Sequence, residues 1–182
     1  MTDKKKDAKD QEKGQAQPQA APAPQQPAAQ AAPQAATFQI EKIYVKDLSL
    51  EIPGAPQVFI EQLQPQLEVQ IHTESSRFAE GYYEVVVSAT VSAKTADRTL
   101  FLAEAVQAGI FQLRNVPEAE MAPLLGIACA NILFPYLRET ISDLVTRGGF
   151  PPVLLSPISF EQLYLQQMQQ QGAAPNAAAK AS

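Results

Sequence analysis

The sequence is poor in the side chains that bind metals or form disulfides. Among its 182 residues it has one cysteine, Cys129, one histidine, His72, and no tryptophan. A single cysteine cannot pair within the chain, which excludes a disulfide-stapled fold. One His and one Cys also cannot supply the four nitrogen and sulfur ligands of a structural zinc site. A structural zinc site is therefore excluded, and we expect neither another metal site nor a cofactor.

Positive charge is also scarce. The chain has 14 Lys and Arg against 19 Asp and Glu, a net charge of -5, and residues 38–171 alone have a net charge of -7. A nucleic-acid-binding protein needs clustered positive charge to displace counterions from phosphates. The composition therefore disfavours nucleic acid as a partner.

Long uninterrupted apolar segments are missing as well. Lys4, Lys5 and Lys6 are followed by charged and then Ala/Gln/Pro-rich sequence, without the apolar region of a secretory signal. The most apolar stretch, 121–137, is interrupted by two prolines, a glycine and an asparagine. It therefore predicts a buried helix rather than a membrane span. We expect a cytoplasmic protein with no direct insertion into the membrane.

Both ends of the chain have a biased composition. The first 37 residues contain 11 Ala, 8 Gln and 5 Pro, and no Val, Ile, Leu, Phe or Tyr. Such a segment cannot bury enough apolar surface to offset the entropy lost on ordering. The sequence therefore predicts a disordered arm over 1–37, one domain over 38–171, and a disordered tail over 172–182.

The central domain has four strand-like segments followed by two helices, which is an α+β pattern. Alternating apolar and polar residues separated by short turns predict an antiparallel meander, in which each strand lies beside the next. The strands are expected at 38–52, 58–72, 82–93 and 99–113. A long helix is expected at 117–146, with a break near its prolines, and a short one from an N-cap at Ser156. The long helix is apolar on most sides near its middle, which predicts self-association.

The sequence contains no motif that indicates catalysis. His72 lies on the polar face of an alternating strand, which favours a solvated side chain over a catalytic base. Cys129 lies within the apolar helix, as buried and unreactive thiols do. Neither a glycine-rich phosphate loop nor the nucleophile elbow of hydrolases occurs. We therefore expect a protein that is not an enzyme.

Two groups of residues are candidates for binding a partner. The first is an acidic face of the first and fourth strands, formed by Asp47, Ser49, Glu51, Leu100, Leu102, Glu104 and Val106. It is either a docking site for a basic partner or an ordinary solvated sheet face. The second group is apolar. Its residues either form the core or line an exposed groove that binds extended peptides, and periodicity does not distinguish these two interpretations. Its members are Leu63, Leu67, Val69, Ile71, Phe101, Tyr136, Phe150, Phe160 and Tyr164.

Several longer motifs resemble the SecB family of bacterial protein-export chaperones. The resemblance spans about 38–171 and is most specific at Asn131-Ile132-Leu133-Phe134-Pro135-Tyr136 and Arg147-Gly148-x-Phe150-Pro151. Further matches are Phe38-Gln39-Ile40, Ile43-Tyr44-Val45-Lys46-Asp47, Tyr83-Glu84-Val85-Val86, Gly109-Ile110-Phe111 and Leu155-x-Pro157-x-Ser159-Phe160.

The resemblance implies a homotetramer, built as a dimer of dimers from subunits with a four-stranded antiparallel sheet, a long helix and a short helix. Such proteins hold unfolded preproteins in the cytoplasm without binding nucleotide, and they deliver them to SecA, the ATPase of the translocase. The family's SecA-docking positions fall on Asp47, Glu51, Leu102 and Glu104. Its client-binding positions fall on Leu63, Leu67, Val69, Ile71, Phe101, Tyr136, Phe160 and Tyr164.

Two other classes of protein remain open from the residues alone. One is an oligomeric adaptor that uses the acidic face to bind a folded partner. The other is a carrier that encloses a small ligand among its aromatic side chains. Preference for unfolded over native chains separates a chaperone from both.

Overall fold

A computed structural model of the chain describes residues 35–173, so 1–34 of the predicted arm and 174–182 of the predicted tail lie outside the described residues. Four strands precede the helices, as predicted: β1 (Thr37–Glu51), β2 (Gln66–Ala79), β3 (Tyr82–Lys94) and β4 (Thr99–Arg114). The helical part comprises α1 (Glu118–Pro123), a π-helical turn (Leu124–Cys129), α2 (Ala130–Arg147) and α3 (Phe160–Ala173). The α+β class and the antiparallel pairing of the strands are confirmed.

The order of the strands differs from the predicted meander. It is β1-β4-β3-β2, because β1 pairs with β4 and not with β2. The connection after β1 contains Pro53, Pro56 and a 3-10 helix, Gln57–Phe59, and is too long and irregular for a hairpin. The predicted strand at 58–72 is therefore wrong at its start, since its first residues belong to this connection and β2 begins at Gln66.

One face of the sheet packs against α2 and forms the core. Alternate residues of β3 and β4 point to this face and are buried, as a two-residue period requires. Leu133, Leu137 and Ile141 of α2 have no exposed surface. The other face of the sheet has mainly polar, partly exposed side chains along β3. The two faces can therefore contact different partners.

The long helix is interrupted where a proline disturbs it. α1, the π turn and α2 follow one another without a gap over Glu118–Arg147, close to the predicted 117–146. The π turn comes directly after Pro123, whose ring and missing amide disturb the regular hydrogen bonds. The buried residues of α2 form one stripe, whereas Arg138 and Asp143 on its other side are exposed. Only one side of α2 is therefore buried within the subunit.

The same helix meets the length and composition criterion for a membrane span. The core helix of a globular protein meets that criterion as well. The stripe from Leu133 to Val145 packs on the sheet and has no exposed surface at Leu133, Leu137, Ile141 and Val145. The helix therefore has the contacts of a core helix.

The short helix begins later than the sequence predicted. The expected N-cap at Ser156 is wrong, because α3 starts at Phe160 and the side-chain oxygen of Ser159 accepts a hydrogen bond from the backbone N–H of Gln162 at 3.3 Å. The preceding segment is extended, since Val153 and Leu155 are buried on either side of an exposed Leu154. Burial of alternate residues requires extended backbone, which delays the helix.

Replacing Leu137 with alanine should destabilise the fold strongly. Its side chain is fully buried between α2 and the sheet, and truncation there leaves a cavity. We expect Leu137→Ala to lower the free energy of unfolding by about 2–5 kcal/mol. Leu154→Ala, at a position 73% exposed, should cost less than about 0.5 kcal/mol. Urea denaturation at one fixed protein concentration measures both, and equal losses would contradict this description of the core.

Candidate functional site

The four predicted docking positions lie together on the solvent side of the sheet. In the register of β1 with β4, Asp47 is opposite Val106, Glu51 is opposite Leu102, and Ser49 between them is opposite Glu104. Residues paired in this way point to the same face of a sheet. We call Asp47, Glu51, Leu102 and Glu104 the acidic patch. Strand order brings β1 and β4 together, although they are the first and last strands in sequence.

Leu100 was expected on the same face and is an exception. In the pairing of β3 with β4, Ala93 is opposite Phe101 and Lys94 is opposite Thr99, so Leu100 is an extra residue. The irregularity breaks the alternation, and Leu100 is only 3% exposed. Leu100 therefore belongs to the apolar side of the domain and not to the acidic patch.

Two lysines close to the acidic patch in sequence or register are paired with other carboxylates. Nζ of Lys46, which adjoins Asp47 in sequence, lies 2.8 Å from a carboxylate oxygen of Glu84. Nζ of Lys94 lies 2.7 Å from a carboxylate oxygen of Glu68. Glu104 accepts a hydrogen bond from the Thr90 hydroxyl, with 3.2 Å between the oxygens. The carboxylates of the patch have no lysine or arginine partner among the described residues, so they can attract a basic partner.

Glu84 is the centre of a small polar cluster on the same face. It accepts hydrogen bonds from Nζ of Lys46 and from the hydroxyl of Tyr44. These two donors, with Lys46 the stronger, hold the pKa of the Glu84 carboxyl below its usual value of 4.5. The same hydrogen bond to Glu84 raises the pKa of Tyr44 to about 12. Glu84 is therefore ionised, and Tyr44 is neutral, throughout the physiological range.

The lowered pKa of Glu84 predicts how stability depends on acid. A carboxyl group whose pKa is lower in the folded state stabilises the fold above its unfolded pKa, and this contribution is lost as pH falls through the folded pKa. Wild type should therefore be more stable than Glu84→Gln at pH 7, and the difference should shrink below about pH 4.5. Urea denaturation of both proteins between pH 7 and pH 3 tests this, and a difference that grows towards low pH would contradict it.

An apolar groove opens beside the edge strand β2 on the helix side of the sheet. It has a volume of about 390 Å³ and is lined by the connection after β1, the starts of β2 and β4, and the extended segment after α2. Its principal apolar residues are Val58, Phe59, Leu63, Leu67, Leu100, Phe101, Phe150 and Val153. Three predicted client-binding residues, Leu63, Leu67 and Phe101, are thus brought together.

Three aromatic rings form one wall of this apolar groove. The ring centroids of Phe59 and Phe150 are 5.4 Å apart, and those of Phe101 and Phe150 are 4.8 Å apart. Phe101 lies innermost and is buried, whereas Phe59 is half exposed. Sequence reasoning did not single out Phe59, because it placed this residue at the start of a strand. The Pro53-Gly54-Ala55-Pro56 turn before it was the available signal that the strand had not yet begun.

The helix-facing side of β2 extends the apolar groove along the sheet edge. Leu67, Val69 and Ile71 point to this side, opposite Ala93, Val91 and Ala89 of β3. Leu67 is 50% exposed and Val69 is 44% exposed, because α2 packs mainly on β3 and β4 and leaves this edge strand partly uncovered. We call Leu67, Val69 and Ile71 the β2 strip.

Tyr164 lies at the far end of the β2 strip. It lines a second pocket of about 280 Å³ with Thr73 and Ser75 of β2 and Met168 of α3. Its ring rests on Gly126 in the π turn, where an added Cβ would lie 2.8 Å from Cδ2 of Tyr164. Glycine is therefore needed at position 126 for this ring to pack so closely.

The remaining two predicted client-binding residues lie elsewhere. Phe160 is 1% exposed and packs edge-on against Phe134, with centroids 5.6 Å apart, so it belongs to the core. Tyr136 is exposed on α2 and lines neither the apolar groove nor the pocket of Tyr164. The predicted client-binding set therefore divides into groove residues, core residues and one residue on the outer side of the long helix.

The residues that could carry catalysis do not form a catalytic site in the described part of the chain. Over residues 35–173, no cluster of His, Cys, Asp and Glu could hold a metal ion. Cys129 is fully buried, and burial raises its pKa to about 12. His72 is exposed, and its Nε2 lies 3.1 Å from a carboxylate oxygen of Glu74. The described residues form an α+β domain with an open apolar groove, a half-exposed apolar strip and an acidic patch, which are features typical of the class of protein-binding domains.

Comparisons with known proteins identify the family. The model of the SecB family, described as preprotein translocase subunit SecB, matches residues 30–171. The protein-export protein SecB of Chromobacterium violaceum is 57% identical over 140 residues, which cover 77% of this chain and 93% of that protein. The protein-export protein SecB of Methylobacillus flagellatus is 59% identical over 140 residues, covering 77% of this chain and 89% of that protein.

The chain belongs to the SecB family of protein-export chaperones. The predicted family and the predicted role in protein export are thereby confirmed over the adaptor alternative, and nothing in the family points to catalysis. Among solved structures, the SecB-like chaperone of Mycobacterium tuberculosis in complex with an antitoxin peptide has a TM-score of 0.56 at 19% identity. The likeness covers 67% of this chain and 91% of that one, and it supports the same fold.

Proposed function

We propose that this protein binds unfolded preproteins along the apolar groove and the β2 strip, and that SecA docks on the acidic patch to receive them. The observation that carries the proposal is that these surfaces lie on opposite faces of one sheet. A client and SecA can then be bound at the same time. The chaperone itself requires neither ATP nor another cofactor to hold a client.

The apolar groove and the β2 strip suit an unfolded chain. Removing apolar surface from water contributes roughly 25 cal/mol per Å², and burial of this kind has no strict sequence requirement. The groove is open and offers an edge strand, so it favours extended segments over native surfaces. Several weak contacts along one client would strengthen one another through effective concentration.

Individual residues of the client-binding set then have different roles. Leu63, Leu67, Val69 and Tyr164 would contact the client directly, because each has accessible surface beside the groove or the second pocket. Phe101 would form the innermost part of the groove wall, whereas Phe160 packs against Phe134 in the core and would act only through the fold. The family resemblance places a Trp in another SecB protein at the position of Leu63. The leucine offers less surface, which predicts a weaker subsite at this end of the groove.

The tetramer, a dimer of dimers, is supported by apolar surface left open in a single subunit. β1 is an edge strand, and its Phe38, Ile40, Val45 and Leu48 are each at least 40% exposed. An exposed apolar edge strand usually pairs with another chain. Tyr136 adds exposed aromatic surface on α2. We place the assembly in the cytoplasm, with no nucleic acid partner and no direct insertion into the membrane.

Calorimetric titration tests the holding function. One secretory protein, kept unfolded by a destabilising mutation, is compared with its native form. Binding of the unfolded form alone, near one client per tetramer, would support the proposal. Equal binding of both forms, or of neither, would contradict it. Light scattering on the same sample gives the oligomeric state.

A further inference from the structure

β1 contains an extra residue immediately before the acidic patch. Val45 is opposite Gln107 and Asp47 is opposite Val106, so Lys46 has no partner on β4 and forms a β-bulge. A bulge of one residue shifts the alternation of every later position. With this bulge Asp47 points outward and Leu48 points to the core side. Without it, Lys46 would be opposite Val106 and Asp47 would face the core.

Gln107 holds this bulge from the buried side. Its side chain is 3% exposed, and Gln107 and Ser92 are the buried polar residues in the part of the chain that the structure describes. Nε2 of Gln107 donates to the backbone carbonyl of Tyr44 at 2.9 Å, which satisfies an acceptor beside the bulge. The hydroxyl of Thr140 in α2 lies 3.5 Å from the other end of the amide. A buried side-chain amide with hydrogen-bond partners at both ends stabilises the local backbone geometry. Breaking either contact would leave a buried polar group without a partner, which is costly.

Glu84 holds the same bulge from the solvent side. It lies on β3, two strands away from β1, and accepts hydrogen bonds from Tyr44 and Lys46. Tyr44 and Lys46 flank Val45 on β1, and β4 lies between β1 and β3. The side chains of these two residues must therefore reach across β4 to contact Glu84. Ala108 of β4, opposite both Tyr44 and Val86, has no exposed surface as a result. The ammonium group of Lys46 is thus paired with Glu84, and the described residues show no ion pair between Lys46 and Asp47.

We propose that Glu84 and Gln107 form a two-sided clamp on the bulge at Lys46 and are positioning residues for the docking of a basic partner segment. The clamp acts in two ways. Gln107 fixes the backbone that presents Asp47, and Glu84 engages the lysine that would otherwise neutralise Asp47. Neither residue belongs to the acidic patch. This inference rests on the proposed docking of SecA.

The test measures SecA affinity for Gln107→Leu and Glu84→Gln, with Gln112→Leu as the matched control. Gln112 is on the same strand and also donates one side-chain hydrogen bond, to the Tyr82 hydroxyl at 2.6 Å, but away from the bulge. We expect each clamp variant to bind SecA about 10-fold more weakly or worse, and Gln112→Leu to bind like wild type. Client affinity should be unchanged in all three.

Two further variants separate positioning from a general loss of stability. Lys46→Met added to Glu84→Gln should restore SecA affinity, because it removes the released positive charge. Gln107→Glu can donate to the Tyr44 carbonyl only while protonated, so its affinity relative to wild type should fall as pH rises from 5 to 8. Protection of the Lys46 and Asp47 amides from hydrogen exchange should fall in parallel.

The possible failures can be told apart. Absence of SecA binding by wild type would overturn the proposed docking itself. Wild-type binding together with unchanged affinity in Glu84→Gln and in a folded Gln107→Leu would overturn the clamp alone. If Gln107→Leu does not fold, Glu84→Gln on the solvent face decides the question, and failure of Lys46→Met to restore its affinity would refute the role given to Lys46.

Discussion

Glu104→Lys should abolish SecA binding while client binding persists. Glu104 lies across from Ser49, between Asp47 and Glu51, so a lysine here changes the charge by two units within the acidic patch. The coupling energy between close opposite charges across an interface reaches several kcal/mol. Reversing the charge at position 104 should therefore weaken SecA binding by at least about 100-fold. Asp47→Lys should act in the same direction. Surface plasmon resonance with immobilised SecA, at two salt concentrations, measures the effect.

The matched control for this prediction is Glu80→Lys. It makes the same change of charge at an exposed position in the β2–β3 turn, away from the acidic patch. Equal weakening by Glu80→Lys would mean that overall charge, and not the patch, attracts SecA. If Glu104→Lys lost client and SecA together with the tetramer intact, the two surfaces would not be separate.

The double variant Leu67→Asp with Val69→Asp should lose client binding, whereas Glu104→Lys loses SecA binding. Both side chains are about half exposed on the β2 strip, and carboxylates there would remove apolar contact and have to be desolvated. We expect a loss of the order of 2 to 3 kcal/mol, which is about 30- to 150-fold in affinity. Calorimetry with the same unfolded client measures it.

The control for the β2 strip uses residues of the same strand that point to the opposite face of the sheet. Gln66→Asp with Gln70→Asp adds the same two charges to the same strand, but on its opposite face. Client affinity should change little, and the two double variants should melt at similar temperatures because no core residue is altered. Equal loss of client binding in both would indicate charge repulsion rather than lost apolar contact, and would contradict a client site on the β2 strip.

Features that depend on local alternation were predictable from the sequence. Asp47 and Glu51 were placed on one face of the first strand, and Leu102 and Glu104 on one face of the fourth, because side chains of a strand alternate with a period of two. The long helix was placed within one residue of its observed ends, since its change of period and its terminal glycines are local signals. The family followed from motifs that span the whole domain.

Other features depended on contacts between distant parts of the chain. The pairing of β1 with β4 was not predicted, because the sequence of a turn-rich connection does not indicate at which edge of the sheet the next strand pairs. Leu100 was misplaced because one extra residue in β4 reverses the alternation locally. Phe101 and Phe160 cannot be told from exposed aromatics by sequence, because their burial depends on Phe150 and Phe134 from other elements.

The sequence by itself thus determined which residues share a face where the alternation is uninterrupted, where the long helix forms, and which family the domain belongs to. The tertiary structure decided which strands are neighbours, and with them that the acidic patch is one surface and that Phe59, Leu67 and Phe101 line one groove. The physical reason is that periodicity is a property of neighbouring residues, whereas strand order and burial arise from packing between elements far apart in the chain.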